Sequence, residues 1–191
     1  LYRWVEEYEP QLFTRIQRLV KEGKWRIMGG WHLQPDCNMP SGESFVRQIL
    51  LGKSYFMEKF GVEPTTAINF DPFGHTRGLV QILAKSGYDS YLHCRPGEED
   101  MPLGSTAIVW VGFDGSEVIA SRPGFYNSPL GGARGKVEQH IANPNMPEVS
   151  AVLWGVGNHG VGPSSQDLRD LRELIAKAAG LRIAHSTAED Y

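Results

Sequence analysis

Near the start of the chain apolar residues recur at helical spacing: Val5, Leu12, Phe13, Ile16, Leu19 and Val20. Lys21, Gly23 and Lys24 supply cationic and glycine stop signals, so the pattern predicts a helix over 5–20, with Pro10 as an early break. Trp25–Leu33 is strand-like but holds Gly29 and Gly30, which suits a strand that is bulged or closely approached by other backbone. After the loop at 35–40, residues 41–60 place Phe45, Val46, Ile49, Leu50, Phe56, Met57 and Phe60 along one side of a long helix closed by Gly61.

The second half of the pattern alternates short apolar runs with helical ones. Thr65–Phe70 and Asp89–Cys94 read as buried strands, and Leu79–Lys85 between them as a short helix. Thr106–Val111 and Glu117–Ser121 read as a hairpin about Asp114-Gly115, and Val149–Trp154 as a further buried strand. Ser164 and Asp167 resemble a capping box that opens a helix with Leu168, Leu171, Leu174, Ile175 and Ala178 inward. The order β-α-β-α-β, hairpin, β-α predicts an α/β fold, either a layer or a barrel of parallel strands with a β-hairpin excursion.

Composition narrows the function classes. Hydrophobic residues at 41% and charged residues at 21% exclude a disordered chain, and no apolar run approaches the roughly 20 residues of a membrane helix. A net charge of −3 without a basic stripe argues against nucleic acid and against anionic membrane surfaces as partners. Cys37 and Cys94 form no CxxC pair and no disulfide framework, which permits a reducing, cytoplasmic compartment. The start at Leu1 rather than Met suggests a piece of something longer.

In α/β folds the loops at the C-terminal ends of the strands converge on one face. Those loops hold Asp36, Asp71, His75, Arg95 and Asn158-His159. Asp71 follows an apolar strand and precedes a rigid Pro, which suits a carboxylate held at the mouth of the sheet and equally a turn starter. Arg95 ends the next strand, where its fork of donors suits a carboxylate or sugar hydroxyls; the alternative is a surface cation beside Glu98-Glu99-Asp100. His159 lies among glycines, either as an exposed imidazole near a ligand or as a loop histidine without a role. His32 suits a rim position, His75 a cap or backbone partner, and His140 and His185 solvated positions. The histidines show no HxH or HxxxH spacing, so no complete metal site is legible locally. Trp31, Phe73 and Trp154 suit sugar stacking or core packing.

Two segments carry a resemblance. Residues 29–44, from Gly29-Gly30-Trp31-His32 through Pro35-Asp36-Cys37-Asn38-Met39-Pro40-Ser41 and on to Gln48, resemble the catalytic domain of glycoside hydrolase family 38 α-mannosidases. So does Asn69-Phe70-Asp71-Pro72-Phe73-Gly74-His75-Thr76, continuing through residues 81–87. The resemblance covers nearly the whole chain and is weakest between about Glu98 and Glu148. It implies that residues 1–191 are part of a single (β/α)7-type catalytic barrel lacking its first strand and later segments, and that the whole is a zinc-assisted retaining hydrolase of α-linked mannose. By the same resemblance Asp71 is nucleophile and zinc ligand, Phe73 lines the sugar subsite, and Arg95 assists nucleophile and substrate.

This sequence departs from the family pattern where an Asp general acid/base commonly stands: Asn158 and His159 occupy that loop. Asn cannot shuttle protons, whereas His can near neutral pH, so His159 is the candidate catalytic replacement and Asn158 a substrate contact; the alternative is an acid supplied by a carboxylate outside this stretch. The resemblance places the remaining zinc ligands before Leu1 and beyond Tyr191. One carboxylate does not hold zinc, so this stretch alone is expected to bind it weakly and hydrolyse little. An opened barrel leaves unpaired strand edges, a route to homo-oligomers. Two other readings stay open: a metal-dependent deacetylase-type barrel, and an inactive sugar-binding module.

Overall fold

A computed structural model describes residues 1–157 and 162–191. The first predicted helix is two: α1 (Tyr2–Tyr8) and α2 (Pro10–Lys21). Pro10 opens α2 because the first helical position needs no backbone N–H. The long helix α3 (Gly42–Phe60) starts at Ser41, whose side chain accepts from Ser44 N, and ends at Gly61 in the left-handed region at φ 66°. Next come β1 (Thr66–Asn69), α4 (Gly78–Lys85), β2 (Ser90–His93), β3 (Ala107–Val111), β4 (Glu117–Ser121), α5 (Ala133–Ile141) and α6 (Ser165–Lys177).

The strands form one sheet in the order β1-β2-β4-β3, with β1, β2 and β4 parallel and β3 antiparallel to β4. The hairpin is therefore no excursion. Its second strand joins the parallel sheet beside β2, with Ser90 opposite Ile119, and its first strand covers the edge. Apolar alternation marks both hairpin strands, but the neighbour β4 chooses is a long-range pairing that periodicity does not report.

The buried core lies between this sheet, α3 and α4, with Ala67, Leu79, Leu83, Tyr91, Val118 and Ala120 at its centre. A second cluster joins Phe13 of α2 to Tyr55 and Phe56 of α3, and a third joins Ala133 and Val137 of α5 to Leu171 of α6. Periodicity does not report α5, because its sequence has a weak apolar stripe and carries Gly135. Ser164 accepts from Asp167 N at 2.9 Å as the capping-box pattern predicts, while the Asp167 carboxylate accepts from Ala133 N at 3.1 Å and so ties α6 to α5.

Two predicted strands are not strands. Residues 25–33 run irregularly, since Gly29 and Gly30 take φ of 81° and 77°, outside extended geometry. The bonds a ladder would make go elsewhere: His32 N donates to Gln48 O at 2.9 Å, Leu33 N to Gln48 Oε1 at 2.9 Å, and the Trp31 indole to Ile68 O at 2.8 Å. Residues 149–154 likewise form no strand, and Lys136 takes the Leu153 carbonyl at 2.7 Å. Only Ser128 and Val156 pair nearby, as an isolated parallel bridge.

The closeness of residues 30–32 to α3 depends on Gly52. A Cβ there meets Gly30 O at 2.1 Å and His32 N at 2.5 Å, both backbone atoms that cannot swing aside. Gly52→Ala is expected to destabilise the fold by about 2 to 3 kcal/mol, as overpacking does. The urea midpoint measures it, and an unchanged midpoint contradicts the close approach.

Candidate active site

Register brings the candidate residues together. Asn69 pairs with His93 in parallel strands, so two residues further along each chain Asp71 and Arg95 leave the sheet side by side. β4 is next, and the segment after it delivers Phe125 and Tyr126 to the same end. Three adjacent parallel strands thus empty onto one edge, the place where α/β folds gather polar chemistry.

Asp71 accepts from Arg95 Nε at Oδ1 and from the Tyr126 hydroxyl at Oδ2, the latter at 3.5 Å. The Asp71 side chain is 33% exposed and that of Arg95 45%, so the pair is open to a ligand without being surrendered to bulk water. The carboxylate holds the Arg95 guanidinium above its ordinary pKa. Aromatic rings frame the pair: Phe70 stacks on Tyr126 at 6.2 Å, and the Arg95 guanidinium lies 5.4 Å from the Phe125 ring centre. Burial, and then the Asp71 charge, raise the Tyr126 pKa, keeping it a phenol that can donate.

The loop that bears Phe125 and Tyr126 is held from below. Lys136 Nζ donates to the carbonyls of Phe125, of Asn127 at 3.1 Å and of Leu153 at 2.7 Å. Burial lowers its pKa. Under Asp71, Asn69 is fully buried and donates to Pro35 O at 2.9 Å and Cys37 Sγ at 3.1 Å, tying the 35–37 loop to β1. Its Oδ1 has no partner among the described residues.

Beneath Arg95 lies a cluster of imidazoles. His75 Nε2 and His93 Nδ1 both contact the main-chain carbonyl of Arg95, at 2.7 and 3.0 Å. The Tyr91 hydroxyl meets His75 Nδ1 at 3.2 Å. Burial lowers the pKa of His75 and pulls that of His93 down to about 4. Cys94 is buried beside the pair, and burial pushes its thiol up to about 12, which removes it as a nucleophile near neutral pH.

The structure therefore joins Asp71 to Arg95 and sets His75 on the Arg95 carbonyl. Phe73 is 80% exposed. Asp36 accepts from the backbone N–H groups of Asn38 and Met39, a turn-forming use of its carboxylate. Trp31 is core, His32 is exposed, His140 bonds Ser150, and His185 lies against Trp154. Asn158 and His159 lie outside the described residues. Sequence reasoning missed Phe125, Tyr126 and Lys136. A signal existed in the aromatic pair that follows the second hairpin strand, but it becomes meaningful only once β4 is known to lie beside β2.

Among the described residues no three His, Cys, Asp or Glu side chains gather as metal ligands. Asp71 is the lone carboxylate of the cluster and is already paired with Arg95. The residues present do not suffice for a zinc centre, which generally takes three protein ligands. No helix among them is long and apolar enough to cross a membrane.

The site so built is an open carboxylate–guanidinium pair framed by aromatic rings at one edge of an α/β sheet. The chain matches the model of "Glycosyl hydrolases family 38 N-terminal domain" over residues 1–191, and it belongs to that family. It is 30% identical to Alpha-mannosidase G of Dictyostelium discoideum over 199 aligned positions, covering 100% of this chain and 18% of that protein. It is 31% identical to Alpha-mannosidase 2C1 of Homo sapiens over 175 positions, covering 90% and 17%. The chain thus spans less than a fifth of the length of these relatives. In fold it is similar to an alpha-mannosidase from Enterococcus faecalis V583, with a TM-score of 0.73 at 18% identity, covering 96% of this chain and 22% of that one. A 4-alpha-glucanotransferase from Thermococcus litoralis shares the fold at a TM-score of 0.57 and 17% identity, with 92% of this chain and 28% of that one covered.

Proposed function

We propose that this chain is part of the catalytic barrel of an α-mannosidase that cleaves α-linked mannosides with retention of configuration, and that Asp71 is its nucleophile. The observation that carries the reading is the Asp71–Arg95 pair, half-open at the C-terminal ends of β1 and β2 and ringed by Phe70, Phe125 and Tyr126. A retaining hydrolase needs an ionised carboxylate to attack the anomeric carbon and a second group to protonate the leaving oxygen. The adjacent guanidinium orients one oxygen of Asp71, leaving Oδ2, shared with the Tyr126 hydroxyl, to face a sugar. As the glycosyl–enzyme ester forms, negative charge leaves the carboxylate, and Tyr126 is placed to follow that change.

The acid/base partner we propose is His159, in the glycine-rich stretch 155–163, with Asn158 and Phe73 as sugar contacts. Imidazole can donate to the leaving oxygen and then take a proton from water near neutral pH. Zinc, if the complete enzyme uses it, draws its other ligands from beyond these 191 residues, and no step above depends on it. Among the described residues the sheet has no strand beside β1, which offers an edge for further barrel strands. The family assignment favours a glycosidase over a deacetylase-type barrel.

The test uses the full-length protein with an aryl α-mannoside and a fluorinated mannosyl fluoride that traps the covalent intermediate. The expected result is steady hydrolysis, time-dependent inactivation, and one labelled peptide containing Asp71. A label on another carboxylate, or mannose binding without turnover, overturns the reading.

A further inference from the structure

We infer that His75 and His93 are positioning residues of this site: two neutral imidazoles that clamp the main-chain carbonyl of Arg95 and so aim its guanidinium at Asp71. The inference rests on the glycosidase reading above and adds to it the parts that set the geometry of the pair.

A carbonyl oxygen only accepts hydrogen bonds. Both nitrogens facing Arg95 O must therefore carry hydrogen: Nε2 of His75 at 2.7 Å and Nδ1 of His93 at 3.0 Å. His75 Nδ1 meets the Tyr91 hydroxyl at 3.2 Å, and in the neutral ring that burial favours it accepts there. The two rings lie edge to face at 5.1 Å, and His93 stacks on Tyr91 at 5.7 Å. The carbonyl uses both lone pairs on side chains from different places. His93 belongs to β2 itself, whereas His75 comes from the loop that carries Asp71.

That origin gives the arrangement its purpose. His75 reaches from the loop of the carboxylate to the backbone of the guanidinium, so the two loops are linked twice, once through the Asp71–Arg95 pair and once underneath it. The clamp continues along the chain. Arg122, buried just beyond β4, donates to Pro96 O at 2.9 Å and Gly97 O at 3.2 Å and pairs with Glu98. Three successive carbonyls, of Arg95, Pro96 and Gly97, are thus taken by side chains, of which His93 and Arg122 are buried. An exposed arginine that only neutralises a carboxylate finds its partner through a flexible stem and contributes little. Fixing its backbone instead limits where the guanidinium can go, and the Phe125 face restricts it further. Such preorganisation matters for a nucleophile whose attack tolerates little misplacement.

The test is made in the full-length protein with side chains that keep or move the donor. The Asn amide nitrogen falls near the place of histidine Nδ1 and the Gln nitrogen near that of Nε2. His75→Gln and His93→Asn therefore keep each donor in place, His75→Asn and His93→Gln misplace it, and His75→Leu and His93→Leu delete it. We measure kcat and KM on an aryl α-mannoside, the rate of covalent trapping at Asp71 per folded molecule, and the melting temperature. Deletion and misplacement are expected to lower kcat and trapping rate by about 10- to 100-fold with KM changed by less than about threefold, the cost of a shift on the order of 1 Å. The donor-keeping variants recover most of that loss. If the leucine variants fail to fold, the comparison of kept with misplaced donor still decides. Equal loss in kept and misplaced variants, or wild-type kcat in all of them, overturns the positioning role. Failure of the wild-type protein to hydrolyse mannosides or to label at Asp71 shows instead that the glycosidase reading itself is wrong.

Discussion

Asp71→Ala is expected to lower kcat on mannosides by about ten-thousand-fold or more, since removing a nucleophile takes away the covalent route and leaves only binding and electrostatic stabilisation. A turn residue behaves differently. Loss of an Asp-Pro turn starter costs about 1 kcal/mol of stability and leaves the active fraction with normal kcat. Azide separates the two further, because a small anion can enter the space vacated by the carboxyl group and attack the anomeric carbon of an activated mannoside. In the Ala variant azide should restore turnover and yield a mannosyl azide of inverted configuration. Its absence, together with a kcat within tenfold of wild type, contradicts the nucleophile assignment. Arg95 is expected to keep its backbone place in this variant, because the imidazole clamp lies on its carbonyl and not on its guanidinium.

Acid is expected to unfold the protein earlier than its carboxylates alone predict, and His93 is the reason. It is 4% exposed and its pKa is pulled from 6.5 down to about 4, first by burial and then by the nearby His75 and Arg122. Its bond to Arg95 O opposes that shift without cancelling it. Between those two values the unfolded chain binds a proton that the folded one refuses, so stability is full above pH 6.5 and falls as pH drops toward 4. The difference corresponds to about 3 kcal/mol at 1.36 kcal/mol per pH unit. Urea midpoints from pH 7 to pH 4 measure it, and His93→Asn should flatten the curve by about that amount. A wild-type curve already flat over this range means that the imidazole is not held neutral inside.

The helices were legible because their signals are local. Pro10 divides α1 from α2, Ser41 and Gly61 bound α3, and Ser164 with Asp167 opens α6, each through hydrogen bonds within a few residues. α5 escaped because ARGKVEQHI lacks a strong stripe and is stabilised by packing Ala133 and Val137 against Leu171 of α6. Residues 25–33 and 149–154 have strand composition but not strand partners. Gly29 and Gly30 turn the first stretch out of extended geometry, and backbone groups of the two stretches are taken by Gln48 and by Lys136, neither of which is a neighbour in sequence.

The same division runs through the candidate site. The residue types and their strand-end positions set Asp71 and Arg95 among several candidates, and the resemblance around Asp36 and Asp71 attached roles to them. The sequence also marks the family through its motifs around Asp36 and Asp71. Only the tertiary structure decided that Asn69 pairs with His93, which puts the two charges next to each other, and that β4 lies beside β2, which brings Tyr126 to Asp71. Register and strand order depend on contacts among residues tens of positions apart, and periodicity along a chain carries no record of them. The caps and breaks of single helices need no such contacts, and so they were written locally from the start.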